Sequence, residues 1–346
     1  MKKSLLALAV LGAFAGAAQA QSAVTIYGSF DGGVRHVTDA QAAAGGAIGS
    51  RTTVGSNGTF NSNRLGFKGV EDLGGGMNAH FTLETGFNTG TGTLDNATNR
   101  LFNRTAAVGL GGSWGSLDFG RQYSVNFKTI GAYDPFSYKY TGIIPLAAQG
   151  GLTRLDNDVQ YAGTFGPVTL RAEYAFGEQV GSVSNGSAQA IGGTYAASGI
   201  TVGAAFTKRK NAVGTTFQDF DNWTVGGAYA TGAFRVAAGY AKATQDTSAT
   251  TENETMDAWL GGSYNLTPAT QLTAAFYRTT LDVAGVEAAR RNLFMVGATY
   301  ALSKRTNLYA DIDVSKLKGA SRLVETATGR VEDRVTGFSV GVNHLF

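Results

Sequence analysis

The chain has no cysteine, only 4 prolines in 346 residues, and a charged fraction of 15%. Each shortage excludes something. Without cysteine there is neither a disulfide framework nor a thiolate-ligated zinc or iron–sulfur site. Collagen fails on proline content and a coiled coil on period. Charge at this level is well below the roughly 25% of ordinary soluble domains. Beyond residue 20 no apolar run approaches the ~18 residues of a transmembrane helix. What is present is 49 glycines, about twice average usage, with 20 Phe, 14 Tyr and 3 Trp, too many aromatics for a disordered chain. Mean hydropathy is -0.05. That is too polar for a helical membrane protein, and the charge is too sparse for a soluble one.

The first twenty residues read as an address. Met1-Lys2-Lys3 is basic, Leu5 through Ala18 is apolar, and Ala18-Gln19-Ala20 supplies a small-x-small cleavage site. Residues 1–20 are therefore expected to be a cleaved secretory signal, with 21–346 as one domain. Loss of Lys2 and Lys3 would bring the net charge from +3 to +1. A broadly basic nucleic-acid surface is excluded at that balance, so no nucleic-acid partner is expected. An exported chain without cysteine suits the cell envelope of a bacterium.

The mature sequence repeats a period of two. In Val168-Thr169-Leu170-Arg171-Ala172-Glu173-Tyr174-Ala175-Phe176 the even positions are apolar and the odd ones include Arg and Glu. Leu308 to Val314 alternates likewise, with Asp311 and Asp313 on the polar face. Sixteen such strands are expected, from 23–37 and 61–71 to 305–317 and 334–346. Tight turns such as Gly74-Gly75, Gly166-Pro167 and Ser198-Gly199 alternate with long polar connections at 38–60, 89–100, 125–153, 244–253 and 318–333. One rim of turns and one of loops is the asymmetry of an outer-membrane barrel. A secreted β-sandwich would also alternate, but would carry more Lys and Glu on its exposed faces and would split into domains. The fold class is thus all-β: a membrane-spanning antiparallel β-barrel with an apolar outside and a watery lumen.

Several segments resemble the general porins of the Gram-negative outer membrane. They are Val24-Thr25-Ile26-Tyr27-Gly28 with Asp31, Asn63-Arg64-Leu65-Gly66-Phe67-Lys68-Gly69-Val70-Glu71-Asp72-Leu73-Gly74, Gly115 to Gln122, Asp134-Pro135-Phe136, and the terminal Gly341 to Phe346. The resemblance runs through the mature chain. It implies a homotrimer of sixteen-stranded barrels in outer-membrane lipid and lipopolysaccharide, each with its own channel for small hydrophilic solutes and anions. It also implies a third external loop, 125–153, folded into the barrel, and Tyr133, Phe136, Tyr138 and Tyr140 are available there to pack against the wall.

Parity selects the inward charges. Leu65 and Phe67 face lipid, so Arg64 and Lys68 face the lumen; Phe81 and Leu83 face lipid, so Glu84 and His80 face inward. Arg104 and Arg154 correspond to the family's remaining wall arginines. Asp134 is the only acid in 125–153 and is the candidate loop carboxylate of the constriction. Arginines against Glu84 and Asp134 predict a weak anion preference, with Lys68 and Lys128 adding to it. Phe346, on the lipid face with Phe338, Val340 and Val342, resembles the signal read by the barrel-assembly machinery.

Enzyme-like motifs fail on context. Gly111-Gly112-Ser113-Trp114-Gly115 matches a nucleophile elbow but leads into another strand, not a helix. His36, His80 and His344 lie far apart, without ligand spacing, so neither a metal nor a cofactor is expected. The expected function is a passive diffusion channel. The alternatives are a channel with a dedicated substrate-binding ladder and a barrel acting as adhesin or receptor through its loops.

Overall fold

The computed structural model describes residues 23–41, 43–55, 57–146, 153–248 and 250–346. The expected signal at 1–20 lies outside the described residues, as do 147–152 of the third loop. In chain order the first half contains β1 (Ala23–Gln41), β2 (Ile48–Val54), β3 (Arg64–Gly74), β4 (Met77–Gly86), β5 (Thr105–Gly112) and β6 (Gly115–Tyr123). A short helix α1 (Val125–Ile130) follows, then β7 (Arg154–Phe165), β8 (Val168–Ala175) and β9 (Ala188–Ala197). Next come β10 (Ile200–Val213), β11 (Thr216–Thr231), β12 (Phe234–Asp246) and β13 (Glu252–Asn265). The chain ends with β14 (Thr270–Val283), β15 (Val286–Ala301), β16 (Thr306–Gly319), the two-residue β17 (Leu323–Val324) and β18 (Val331–Glu332), and β19 (Arg334–Leu345).

Setting aside β2 and the β17–β18 pair, sixteen strands follow one another around an antiparallel sheet that closes where β1 meets β19. Closure leaves no edge, so every ladder amide is paired without water, as a membrane requires. The terminal residue completes the seam: the Gly28 amide donates to the Phe346 carbonyl at 3.0 Å and the Phe346 amide donates to the Gly28 carbonyl at 3.2 Å.

Parity holds around the wall. Val24, Ile26, Leu170, Val236, Phe276 and Ile312 point outward into what would be lipid. Val24 is 59% exposed in the isolated chain, whereas the lumen-facing Glu84 is only 5% exposed. Such inversion is what a barrel in lipid predicts. Two regions differ from expectation. The first long connection is not all loop, because β1 continues to Gln41 and pairs with β2 from Val34↔Val54 to Gln41↔Ile48. Likewise β10 and β11 extend above the membrane to a hairpin closed at Val213↔Thr216, where Lys208 and Lys210 meet Asp219 across the strands. In both cases continued pairing satisfies backbone groups that a loop would leave to solvent.

The lumen face is not uniformly polar. Trp259, Tyr277, Leu293, Met295 and Tyr309 all point inward from β13 to β16 and are almost fully buried. They are covered by the third loop, whose Tyr133, Phe136 and Tyr140 join the same cluster.

Candidate functional site

The third loop enters the barrel immediately after β6. Ser124 caps α1, its side chain accepting from the Phe127 amide at 3.2 Å. The helix and the segment that follows it lie on a lumen wall of small residues, with Gly192 under Val125 and Thr129. A Cβ on Gly226 would overlap the Tyr133 ring, and one on Gly261 would come within 2.8 Å of Pro135. Past the helix, polar groups of the wall capture loop carbonyls. Trp259 Nε1 donates to the Tyr133 carbonyl at 3.2 Å, Arg235 to those of Ala132 and Asp134 at 3.2 and 3.1 Å, and Arg291 to that of Ile143 at 2.8 Å. On the wall strand β1, Asp31 accepts from the amides of Thr59, Phe60 and Asn61 and from the Tyr309 hydroxyl, drawing the end of the first loop inward as well.

Away from the seat, the cations stand on β3 and β7 and at the approach to β5. Arg64 opens β3 and Arg154 opens β7, while Arg104 immediately precedes β5. Tyr123, the last residue of β6, gathers two of them. Its hydroxyl accepts from Arg104 at 2.5 Å and from Arg154 at 2.7 Å, and the Arg154 guanidinium lies 4.3 Å from its ring centroid. The Tyr123 ring stacks on Phe127 at 4.7 Å, and Phe127 stacks on Tyr138 at 4.1 Å. A column of guanidinium and three rings therefore joins wall to loop. Cation–π contact holds Arg154 in place without neutralising it.

Arg104 and Glu84 form a buried ion pair at 2.6 Å, and the Tyr27 hydroxyl donates to the other Glu84 oxygen at 3.0 Å. Arg64 and Arg154, by contrast, have no ion-pair partner among the described residues. Arg64 donates to the Asn61 side-chain oxygen at 3.0 Å, and Lys139 of the third loop donates to the same oxygen at 3.1 Å. Burial, and then the charge of Arg64, push the Lys139 ammonium down from its usual range to about 8. Arg64, Arg104, Arg154, Lys139, Tyr123 and Tyr138 line one lumen cavity of about 570 Å³. Asp95, held by the Asn103 amide, also borders it.

Three sequence assignments need correction. Asp134 does not line the lumen. It is 0% exposed, accepts from the Tyr277 hydroxyl and the Tyr138 amide at 2.7 Å each, and fastens the loop to the wall. Lys128 donates to Gln160 and has Arg171, Glu173, Asp118 and Asp158 as charged neighbours, so it sits in a mixed cluster with three acids and does not border the cavity of the arginines. Lys68 faces inward, above the Tyr27 ring at 5.4 Å, but does not border the cavity of the arginines. The sequence reading passed over Lys139, Tyr123 and the anchors Arg235, Trp259 and Tyr277. Only the inward parity of Trp259 and Tyr277, large rings at lumen positions, hinted at something seated there.

Residues 7–320 match the family model described as Gram-negative porin. The outer membrane porin protein 32 of Delftia acidovorans is 32% identical over the whole of both chains. A porin of Bordetella pertussis is 46% identical over 144 residues, 39% of this chain and 37% of that protein. Among solved structures, the anion-selective porin from Comamonas acidovorans superposes with a TM-score of 0.79 at 27% identity, covering 94% of this chain and 100% of that one. A trimer form of OmpT from Vibrio cholerae shares the fold at 16% identity, with a TM-score of 0.69 over 94% of this chain and 99% of its own. The chain belongs to the Gram-negative porin family. It is a porin of the outer membrane: a channel and not an enzyme.

Proposed function

We propose that the protein is a homotrimeric, weakly anion-selective diffusion channel for small hydrophilic solutes, exported by the signal at 1–20. The carrying observation is that Arg64, Arg154 and Lys139 border one lumen cavity without ion-pair partners among the described residues, while Glu84 is consumed by Arg104 and Asp134 is buried. Fixed uncompensated cations in a low-dielectric frame raise the local anion concentration and repel cations. Two or three such charges bias passage but do not block it, because salt screens each over ~8–10 Å. The porin from Comamonas acidovorans, which is anion-selective, agrees in sign. No group in the cavity is set up to change a bound solute, so flux follows the concentration gradient.

The test is the reversal potential of the purified protein in planar bilayers under a salt gradient. Wild type is expected to prefer chloride weakly. Neutralising Arg64, Arg154 and Lys139 together to Gln shifts the potential towards the cation. An unchanged potential would place the selectivity elsewhere in the channel. Cross-linking in native outer-membrane vesicles checks the trimer.

A further inference from the structure

The third loop borders a second lumen cavity. It holds about 200 Å³, and a cavity of about 150 Å³ takes a benzene ring. The cavity of the arginines is walled in part by a long connection, through Asn96 and Arg100. The second is walled by strand ends beside the tight turns. Arg235, Ser263, Thr273 and Gly297 form one level row across β12 to β15, and Gln271 and Thr299 form the next row towards the turns. Ser137 and Lys139 border both cavities, so the two adjoin at this point of the loop.

The lining has two unlike halves. One is apolar, with Phe60, Pro135, Phe136 and Tyr140 contributed by the first and third loops. Phe60 and Phe136 both stand edge-on to Tyr140, at interplanar angles of 83° and 89°. Phe60 is held from behind by Tyr309, stacked at 5.1 Å. Gly297 keeps the wall clear for these rings, because a Cβ there would come within 3.1 Å of Phe136. The other half is cationic. Among the described residues no Asp or Glu lines the cavity, and neither Lys139 nor Arg235 makes an ion pair. Arg235 donates to the carbonyls of Ala132, Asp134 and Pro135, neutral groups that do not cancel its charge. The Asp134 carboxylate itself is taken up by Tyr277 and the Tyr138 amide.

We propose that this cavity is a binding subsite for a small aromatic carboxylate, one ring bearing one acid group. The proposal rests on the anion-selective channel described above and names a class of solute for it. The carboxylate is drawn to Lys139 and Arg235, whose charged donors suit its oxygens. The ring lies against Phe60 and Phe136, where edge-to-face contact favours an aromatic partner. An inorganic anion would leave the rings unused, and a neutral sugar would leave both cations unused.

The experiment is single-channel recording of the full-length protein in planar bilayers in chloride, with benzoate as the probe. Acetate supplies the charge without the ring, and benzyl alcohol the ring without the charge. Benzoate is expected to interrupt the chloride current saturably, and the two controls at equal concentration are expected not to. S263L/T299L fills the cavity while keeping both cations, and should raise the half-blocking concentration of benzoate by about tenfold. If that variant forms no channel, Q271E, a single exposed substitution that puts an acid into the cavity, gives the same readout. Block by acetate equal to that by benzoate overturns the proposal, by making the cavity a site for any anion. Block by benzyl alcohol equal to that by benzoate, or a half-blocking concentration that the variant leaves unchanged, overturns it too. The reversal potential is read in the same recordings. Absence of chloride preference in wild type overturns the selectivity proposed for the channel, whereas chloride preference without benzoate block overturns only the subsite.

Discussion

Two walls of one lumen, equal in backbone geometry and parity, do opposite things. The wall from β3 to β7 presents Arg64, Arg104 and Arg154 around Tyr123, and those side chains border an open cavity. The wall from β9 to β16 presents glycine, then Trp259, Tyr277, Leu293, Met295 and Tyr309, and meets the third loop. Inward parity therefore does not by itself mean contact with water. A lumen strand is polar where it faces solvent and behaves as a protein core where another segment covers it. The glycine excess belongs to the second wall as much as to the turns, since at positions such as Gly226 and Gly239 the space of a side chain is filled by the Tyr133 and Trp259 rings.

The comparison is broken most severely at the seat. Tyr133→Ala removes a fully buried ring stacked on Trp259 at 5.8 Å, and is expected to cost about 3–5 kcal/mol, read as an earlier thermal transition of the folded barrel in detergent. Gly226→Leu should displace the loop from the opposite side, with a noisier and larger single-channel current. On the basic wall the largest effect is at Arg104. Arg104→Gln strands the buried Glu84 carboxylate and should cost about 3 kcal/mol or more, and adding Glu84→Gln should restore most of it.

Asp134→Asn separates structure from selectivity. Loss of its buried bonds to Tyr277 and Tyr138 should lower stability by about 1–3 kcal/mol, while the reversal potential stays that of wild type. A shift towards anions would instead return Asp134 to the ion path.

The smallest effect is on pH. Lys139 sits at about 8, so it is charged below that value and neutral above. Anion preference should therefore decline as pH rises from 7 to 9 and recover on return. Lys139→Gln should flatten that dependence at the weaker level, and Lys139→Arg at the stronger one.

Much of this was legible in the chain. Period two exposed the sixteen barrel strands, and the parity of Leu65 and Phe67 turns Arg64 to the lumen, where it borders the cavity. The loop aromatics Tyr133, Phe136 and Tyr140 pack on the wall. Tyr138, from the same run, turns the other way to stack on Phe127 beside the cavity. Lys128 and Lys139 show why loops resist such reading: they lie eleven residues apart in one segment, yet one sits among Arg171 and three acids and the other borders the arginines of the cavity. A strand has a period that assigns each side chain a face. An irregular loop has none, so Asp134 read as a pore carboxylate until its burial was known.

The sequence alone determined the barrel, its apolar outside and the inward direction of Arg64, because alternation in a closed sheet is a local rule that register cannot alter without exposing every apolar residue. Only the tertiary structure decided which inward charges stay unpaired. Arg104 is matched by Glu84 twenty residues away, and Arg154 is laid on Tyr123 thirty-one away. The loop that encloses the cavity takes its path from carbonyls captured by Arg235 and Trp259, more than a hundred residues along the chain. Those partners meet through the curvature of the whole barrel, which no local pattern records.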